Sequence, residues 1–241
     1  VQSYPCEKAI APNGMVNEHL SATQLGLKGI PTLAESLQVA RDLYILEYTG
    51  GRLHIPTIST LESVGLIKQA KKKGLKVSCS VSINNLSLTD GVLESFDTNY
   101  KLMPPLRTPQ DIKALKKGLT DGTIDMVTSD HNPIDIENKK IEFDHAKYGS
   151  IGLESCFGAL QKATDLETAI QALTQQSVFK IPQSSIAQGQ KANITLFDPS
   201  LKWLFKKEHI ISTSKNAALL EQPLLGKAYG IINNSQVLLH E

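Results

Sequence analysis

The stretch "STLESVGLIKQAKKKGLKVSCSVS", residues 59–82, carries the pattern that decides the fold class. Its first part predicts a helix, with Ser59 as the expected N-cap and Gly74 as the terminator. Four apolar residues recur there at helical spacing: Leu61, Val64, Ile67 and Ala70. The second part, "LKVSCSVS", predicts a strand, and "RLHIP" at 52–56 predicts another strand before the helix. A strand–helix–strand unit of this length is typical of a parallel sheet.

The same alternation continues on both sides of this stretch. "PTLAESLQVARDLYILEYTGG", residues 31–51, predicts a helix whose apolar positions are Leu33, Leu37, Ala40 and Ile45. "TPQDIKALKKGL" predicts a helix in which Thr108 is the cap, Pro109 lies in the first turn and Asp111 stands near the capping-box position. Three further segments complete the pattern: a strand "TIDMVTSD" and helices "GLESCFGALQKAT" and "ETAIQALTQQSVF".

Four strand–helix repeats are visible if Val1 to Tyr4 is the end of a strand, whereas a closed (β/α)8 barrel needs eight. We therefore predict an α/β chain in which residues 1–185 form the second half of a TIM-type barrel. Residues 186–241 are predicted to form a small C-terminal β domain, because "ANITLFDP", "WLF" and "YGIINNSQVLL" are short β-rich runs. Functional residues are expected at the strand ends, near Tyr4, His54 to Thr57, Ser82 to Asn85, and Asp130.

Composition limits the classes of partner. The 241 residues are 41% hydrophobic and carry a net charge of +1, so no electrostatic field favours nucleic acid or a membrane surface. No apolar stretch approaches the roughly 20 residues of a membrane span. Three widely spaced cysteines, Cys6, Cys79 and Cys156, indicate buried thiols in a reducing cytoplasm. Because the chain starts at Val1 without a methionine, we expect it to belong to something longer.

Two long motifs carry a family resemblance. "YKLMPPLRTPQDIKALKKGLTDGTIDMVTSDHNP", from Tyr100, and "KKIEFDHAKYGSIGLE", from Lys139, resemble the dihydroorotases of the multifunctional-complex type, in the amidohydrolase superfamily. The resemblance implies a metal-dependent hydrolase fold that begins at the fifth barrel strand. The family's first half, with its metal-binding HxH motif, has no counterpart in these residues. Family members interconvert dihydroorotate and N-carbamoyl-aspartate, and zinc supplies the activated water and polarises the amide carbonyl.

The resemblance also shows what has been replaced. At the two histidine ligand positions of the fifth and sixth strands stand Tyr4 and Thr57, and neither is a good zinc ligand. Asp130 keeps the position of the family's general base and metal ligand, with His131 beside it. Met103 and Ile134 stand where the family contacts its substrate, so we predict no confident substrate-binding residue and no zinc from this chain.

Other polar residues have structural interpretations. We expect Asp130 to cap its loop or pair with a nearby cation, His54 to be a packed strand histidine, and Arg107 to anchor the loop after "PPL". Asn84 and Asn85, which replace the histidines of the family's PHH motif, are consistent with either a small ligand or simple loop polarity.

Three functions remain open from the sequence. The first is a catalytically impaired dihydroorotase homologue with a structural or regulatory role. Its candidate partners are aspartate transcarbamoylase, which the resemblance suggests, a second copy of the chain, and the missing N-terminal half of the fold. The second is an active zinc-dependent cyclic amidohydrolase completed by that missing half. The third is a small-molecule binding module built on the altered pocket.

Overall fold

A parallel sheet forms the centre of the chain, for which a computed structural model describes residues 1–174, 179 and 186–239. Strands β3 (Leu53–Ile55), β4 (Val77–Ser82) and β5 (Met126–Thr128) lie in the order β3-β4-β5, and both pairings are parallel. Gln2 pairs in parallel with His54, so the predicted strand at Val1 to Tyr4 contributes a single bridge beyond β3. Within the described ranges the sheet does not close on itself, as the four-repeat count predicted.

The helices that alternate with these strands follow the predicted order. Their bounds are α2 Thr32–Thr49, α3 Leu61–Lys72, α4 Ile83–Ser87, α5 Pro109–Thr120, α6 Cys156–Ala163 and α7 Leu166–Thr174. The predicted helix at 167–179 is therefore confirmed to Thr174, and 175–178 lie outside the described residues. Between the first bridge and α2 the chain forms β1 (Val16–Asn17), α1 (Leu20–Leu25) and β2 (Gly29–Ile30), with β1 and β2 paired in parallel. None of the helices in the described parts is long and apolar enough to cross a membrane.

The start of α3 differs from the prediction by one residue. Thr60, not Ser59, is the N-cap, and its hydroxyl accepts a hydrogen bond from the Ser63 amide. Ser59 is instead turned toward the buried carboxylate of Glu35. Leu61 is 50% exposed, so the buried face of this helix consists of the other three predicted positions and Ser63.

The predicted apolar face of α2 is wrong. Leu33, Leu37 and Ile45 are exposed by 55%, 49% and 52%. The buried side of the helix carries Val39, Leu43 and Leu46, and also three polar residues that have partners inside the protein: Glu35, Gln38 and Asp42. The pattern misled because hydrogen-bonded polar side chains occupy the inner face and leave apolar residues on the outer one.

The hydrophobic core lies between the sheet and its helices. In β4, Val77, Cys79 and Val81 belong to this core, so the alternating residues Ser78, Ser80 and Ser82 face the opposite, inner side of the sheet. Phe205, Leu219 and Leu224 from the C-terminal part belong to the same cluster, which ties the two parts together.

The C-terminal part contains an antiparallel three-stranded sheet in the order β6 (Asn193–Leu204), β7 (Pro223–Asn233) and β8 (Gln236–Leu239). The predicted β-rich run "ANITLFDP" is confirmed as strand from Asn193, and β6 continues beyond it to Leu204 through an irregularity after Asp198. The β-rich run "YGIINNSQVLL" forms the end of β7 and all of β8, which pair as an antiparallel hairpin. The predicted boundary at 185/186 remains a prediction, since 180–185 lie outside the described residues.

Candidate functional site at the carboxyl ends of the parallel strands

The carboxyl ends of the parallel strands bring the predicted site residues to one edge of the sheet. Tyr4 follows the bridge at Gln2, Thr57 follows β3, and Asp130 follows β5. Tyr4 and Asp130 lie within electrostatic range, because Asp130 contributes to the raised pKa of the Tyr4 phenol. The three positions that the resemblance singles out thus lie at the mouth of the half barrel.

Asp130 is committed to its own loop. The Asn132 side-chain amide donates to the Asp130 carboxylate at 3.1 Å and to its backbone carbonyl at 2.9 Å. Asp130 has a φ of +47°, a left-handed conformation that aspartate tolerates better than most residues. Burial raises the pKa of its carboxyl, although the Asn132 hydrogen bond opposes that shift. No ion pair to Asp130 occurs within 1–174, 179 and 186–239.

Tyr4 and Thr57 offer only neutral oxygen donors. Burial of the Tyr4 phenol raises its pKa above the usual value, and the neighbouring Cys6 and Asp130 raise it further. Thr57 is 7% exposed, and its amide donates to the Ser80 hydroxyl at 3.1 Å. Its φ of +51° is unusual for a β-branched residue.

The two histidines nearest the mouth, His54 and His131, make hydrogen bonds to other parts of the chain. Nδ1 of His54 lies 2.9 Å from the Ser78 hydroxyl on the inner face of the sheet, and its ring contacts Phe179 edge-on. Burial lowers the pKa of His54. Nδ1 of His131 accepts hydrogen bonds from the amides of Gly152 and Leu153 at 3.2 and 3.4 Å, which ties His131 to the loop before α6.

The residues at the positions of the family's substrate contacts, and the two asparagines near them, differ in their hydrogen bonds. The Ile134 amide donates to the Asn216 side chain at 3.2 Å, so this loop is held by the C-terminal part. The side-chain amide of Asn85 donates to the Pro105 carbonyl at 2.9 Å. Asn84 is 1% exposed, and its carboxamide has no hydrogen-bond partner among the described residues. Met103, which directly precedes Pro104, is half-buried.

Sequence reasoning missed a buried carboxylate behind the mouth. Glu35 is 2% exposed and accepts hydrogen bonds from both Ser59 and Thr60. The two amides donate at 2.9 and 3.0 Å, and both hydroxyls donate as well. A charged residue at an inner position of "PTLAES", between Ala34 and Ser36, was the available signal, but the expected apolar face concealed it.

Arg107 extends this network across the molecule. It is 2% exposed and donates to the Ser59 hydroxyl, the Asn17 side chain and the Ile30 carbonyl at 3.1, 2.7 and 2.8 Å. Burial lowers the pKa of its guanidinium, and the anionic Glu35 opposes that shift. Arg107 is therefore an anchor that joins the "PPLR" loop to β1 and β2.

A second polar region lies beside Ile134. A cavity of about 740 Å³ is lined by Ile134 and Asn216 and by four lysines: Lys139, Lys140, Lys207 and Lys215. Two of these ammonium groups are already used. Lys139 donates to the Thr98 carbonyl at 2.8 Å, and Lys215 donates to the carbonyls of Ile210 and Ser212 at 2.8 Å.

The donor set at the mouth does not fit zinc. Zinc in catalytic sites typically takes three protein ligands drawn from His, Cys, Asp and Glu. Asp130 is the one residue of that kind at the predicted ligand positions, whereas Tyr4 and Thr57 carry a phenol and an aliphatic hydroxyl. In the part of the chain that the structure describes, no three such side chains converge.

Comparison with known proteins places these features in a family. No family model matches the chain. It is 38% identical over 239 residues to a dihydroorotase of Geotalea daltonii, and that match covers 96% of this chain and 56% of the relative. It is 40% identical over 235 residues to a dihydroorotase of Carboxydothermus hydrogenoformans, covering 94% of this chain and 55% of the relative. The chain thus spans about half the length of the curated relatives it matches.

Solved structures agree on the fold. A dihydropyrimidinase from Brevibacillus agri superposes with a TM-score of 0.81 at 21% identity, over 100% of this chain and 56% of that one. An L-hydantoinase from Arthrobacter aurescens gives a TM-score of 0.81 at 22% identity, over 97% of this chain and 53% of that one. The predicted fold class is confirmed: the chain is half of an amidohydrolase-type barrel with a C-terminal β-sheet. Within that class its sequence is similar to dihydroorotases, at 38–40% identity over about half of their length, consistent with the C-terminal half of that family.

Proposed function

We propose that this chain is a catalytically impaired member of the dihydroorotase family, with a structural or regulatory role in pyrimidine biosynthesis. The observation that carries the proposal is the donor set at the mouth: two neutral side chains, Tyr4 and Thr57, and a single carboxylate, Asp130. One carboxylate does not hold a catalytic zinc, and without it a cyclic amide meets neither an activated water nor a polarising cation.

The surroundings of Asp130 support this proposal. A general base needs a free carboxylate within hydrogen-bond reach of the proton it takes. One carboxylate oxygen of Asp130 already accepts a hydrogen bond from the Asn132 side chain. The neighbouring His131 ring accepts a hydrogen bond from the Gly152 amide, in the loop before α6. The apolar Met103 and Ile134 also remove the polar contacts that would position a charged substrate, and lost positioning alone lowers rates by orders of magnitude.

The retained Asp130 favours one second candidate, an active zinc-dependent cyclic amidohydrolase completed by a first half. In that case an HxH motif from the first half would add two ligands to Asp130. Elemental analysis of the purified full-length protein and a dihydroorotate assay with added zinc separate the two. We expect less than stoichiometric zinc and no turnover. Stoichiometric zinc with turnover on the order of 1 per second, within the range of ordinary enzymes, would establish the second candidate.

A designed variant tests the cause of the impairment. Tyr4→His together with Thr57→His restores the two imidazoles that the resemblance assigns to the fifth and sixth strands. We expect the double variant to bind more zinc than the wild type and still to lack turnover, because Met103 and Ile134 are unchanged. A double variant that turns over dihydroorotate would show that the metal ligands alone account for the loss.

The cavity beside Ile134 favours a third candidate, a small-molecule binding module. Its volume of about 740 Å³ suits a small molecule, and its lining carries both lysines and three carboxylates, those of Asp97, Asp135 and Glu137. Thermal-shift measurements with dihydroorotate, N-carbamoyl-aspartate and aspartate test it, and a rise in Tm without turnover would favour binding over a purely structural role.

The partners are proposals that rest on the family resemblance. Aspartate transcarbamoylase is the candidate enzyme partner, a cytoplasmic location is the candidate compartment, and a first half of the barrel is the candidate intramolecular or separate partner. Co-purification of the tagged chain, followed by mass spectrometry, tests the first of these directly.

A further inference from the structure

A small cavity lies where the half barrel meets the C-terminal part of the chain. It has a volume of about 110 Å³ and is lined by residues from the end of α4, from α5 and α6, and from the start of β7. Two of these residues are lysines, Lys116 of α5 and Lys162 of α6, and none of the described residues that line the cavity is an aspartate or a glutamate. We call it the two-lysine cavity. Ligand sites occur preferentially at such joints between packed parts of a protein.

The two ammonium groups have no partner in the part of the chain that the structure describes. Neither lysine forms an ion pair or a side-chain hydrogen bond there, whereas Lys71 contacts Asp125 at 2.8 Å. The helix dipole favours a cation in the last turn of α6, where Lys162 lies. It does not explain Lys116, which lies four residues before the end of α5. Two cations that share one cavity without a counter-ion indicate a site for an anion.

The rest of the lining suits an anion that carries hydrogen-bond acceptors. Leu86, Leu88 and Leu224 are buried members of the hydrophobic core. A wall of this kind strengthens the attraction between an ammonium group and an anion, because less water screens the charges. The side chains of Ser87 and Gln222 also line the cavity, and a hydroxyl or a carboxamide can donate a hydrogen bond to an oxyanion.

The walls of the two-lysine cavity are held in place by packing. Gly158 of α6 lies so close to β7 that an added Cβ would stand 2.9 Å from the Gly226 carbonyl oxygen and 3.0 Å from the Leu224 Cβ. The Gln222 amide donates to the Leu219 carbonyl at 3.1 Å, which fixes the turn before β7. Because the backbone around the cavity is already ordered, binding there costs little conformational entropy.

We propose that the two-lysine cavity binds a phosphate group, either as the free ion or at the end of a small phosphomonoester. Two ammonium groups match the charge of about −1.5 to −2 that such a group carries at pH 7. A volume of about 110 Å³ accommodates the phosphate itself, so an attached organic group would project toward solvent. The mouth residues Tyr4, Thr57 and Asp130 do not line this cavity, so the site is separate from the candidate functional site.

Isothermal titration of the complete protein with inorganic phosphate, at constant ionic strength in sodium chloride, tests the proposal. We expect one site with a Kd on the order of 1 mM or tighter. Lys116→Met and Lys162→Met keep most of the aliphatic stem and remove the charge. Each should weaken binding by at least about tenfold, the effect of losing one hydrogen bond to a charged group.

Lys117→Met is the matched control. It makes the same change of charge in α5, but Lys117 is exposed and does not line the cavity, so phosphate affinity should stay within about twofold of the wild type, as for a screened surface charge. Far-UV circular dichroism should be the same in all three variants. Absence of phosphate binding to the wild type at 10 times the expected Kd would overturn the proposal. So would binding that Lys116→Met and Lys162→Met leave unchanged.

Two further titrations identify the chemistry and source of the ligand. Acetate, which carries a single charge, should bind at least about tenfold more weakly than phosphate, because it offers less charge to the two ammonium groups. Equal affinity for acetate and phosphate would contradict the assignment to a phosphate group. Methyl phosphate that binds as well as inorganic phosphate would support a phosphomonoester, and methyl phosphate that binds much more weakly would support the free ion.

Discussion

Two non-glycine residues at the mouth of the half barrel adopt left-handed backbone conformations, Thr57 with a φ of +51° and Asp130 with a φ of +47°. Strained residues of this kind cluster at functional sites, where the surrounding structure holds them in place. Here they coincide with two of the positions at which the resemblance places metal ligands. The Asp130 carboxylate is a usual zinc ligand, whereas a threonine hydroxyl is not.

The buried network around Arg107 gives the first prediction at the scale of the residue. Arg107→Met removes the hydrogen bonds that the guanidinium donates to the Asn17 side chain and to the Ile30 carbonyl. It also removes the positive charge that stabilises the buried Glu35 carboxylate. We expect the free energy of unfolding to fall by about 2–4 kcal/mol, since hydrogen bonds to charged groups are worth about 1.5–3 kcal/mol each. Urea unfolding measures it.

Arg52→Met is the control for that experiment, because Arg52 is exposed. It should change the unfolding free energy by less than about 0.5 kcal/mol, as is usual for surface substitutions. Equal effects of the two substitutions would show that the network around Arg107 contributes nothing special to stability.

His54 gives a prediction about pH. Burial lowers its pKa in the folded state, whereas in the unfolded chain it titrates near 6.5. Below that value the unfolded state binds the proton more readily, so stability should fall as the pH drops from about 7 through the folded-state pKa of His54. The His54→Gln variant should therefore lose less stability than the wild type between neutral and acidic pH.

Urea unfolding at several pH values, with His145→Gln as the matched control that removes an exposed imidazole, measures this difference. The neutral-pH stability of His54→Gln is expected to be lower, because the ring contact to Phe179 is lost. The slope of the unfolding free energy against pH separates the effect of protonation from this loss of packing, which does not depend on pH. Identical slopes in His54→Gln and the wild type would contradict the assignment.

At the scale of the element, the local sequence determined helix ends better than helix faces. Thr108, Pro109 and Asp111 start α5 with the capping box that the sequence predicted, because capping depends on residues three positions apart. The buried face of α2 was not predictable in the same way, because Glu35 and Asp42 are buried through partners distant in the sequence, at Ser59 and Ser3. A hydrophobic pattern does not report such partners.

Asp111 provides a prediction for the helix termini. One of its carboxylate oxygens accepts from the Leu61 amide at 2.9 Å, and the other accepts from the Thr108 amide at 3.1 Å. It therefore serves the N-termini of both α3 and α5. Asp111→Ala should lower the free energy of unfolding by about 2 kcal/mol, compared with about 1 kcal/mol for Thr108→Ala, the usual value for one cap.

Chemical denaturation of the two variants, with Gln110→Ala as a control in the same turn, measures the difference. Gln110 is exposed, so its replacement should have little effect. If Asp111→Ala and Thr108→Ala lower the free energy of unfolding equally, the hydrogen bond from the Leu61 amide to Asp111 does not stabilise the protein.

At the scale of the whole molecule, the sequence predicted the half barrel because four repeats and the family motifs agree. It did not predict how the C-terminal part is attached. Phe205, Leu219 and Leu224 join the barrel core through contacts between residues far apart in the chain. The Asn216 side chain also bonds the loop that contains Ile134. Such long-range packing leaves no periodic signal in a single sequence.

The sheet edges give the last prediction. Beyond β3 there is only the bridge at Gln2, and β5 pairs with β4 alone among the strands of the described ranges. A first half would supply strands that pair with these two open edges.

We expect these 241 residues to bind the separately expressed first half of a related dihydroorotase. At a fragment concentration about 100 times its Kd, binding stabilises the folded chain by about 2.7 kcal/mol, which raises the Tm by about 5–10 °C for a chain of this size. Differential scanning calorimetry measures the shift. A fragment with proline in each of its two edge strands is the control, since proline removes the backbone donors needed for pairing. An unchanged Tm with the unmodified fragment would mean that something other than a first half covers these edges.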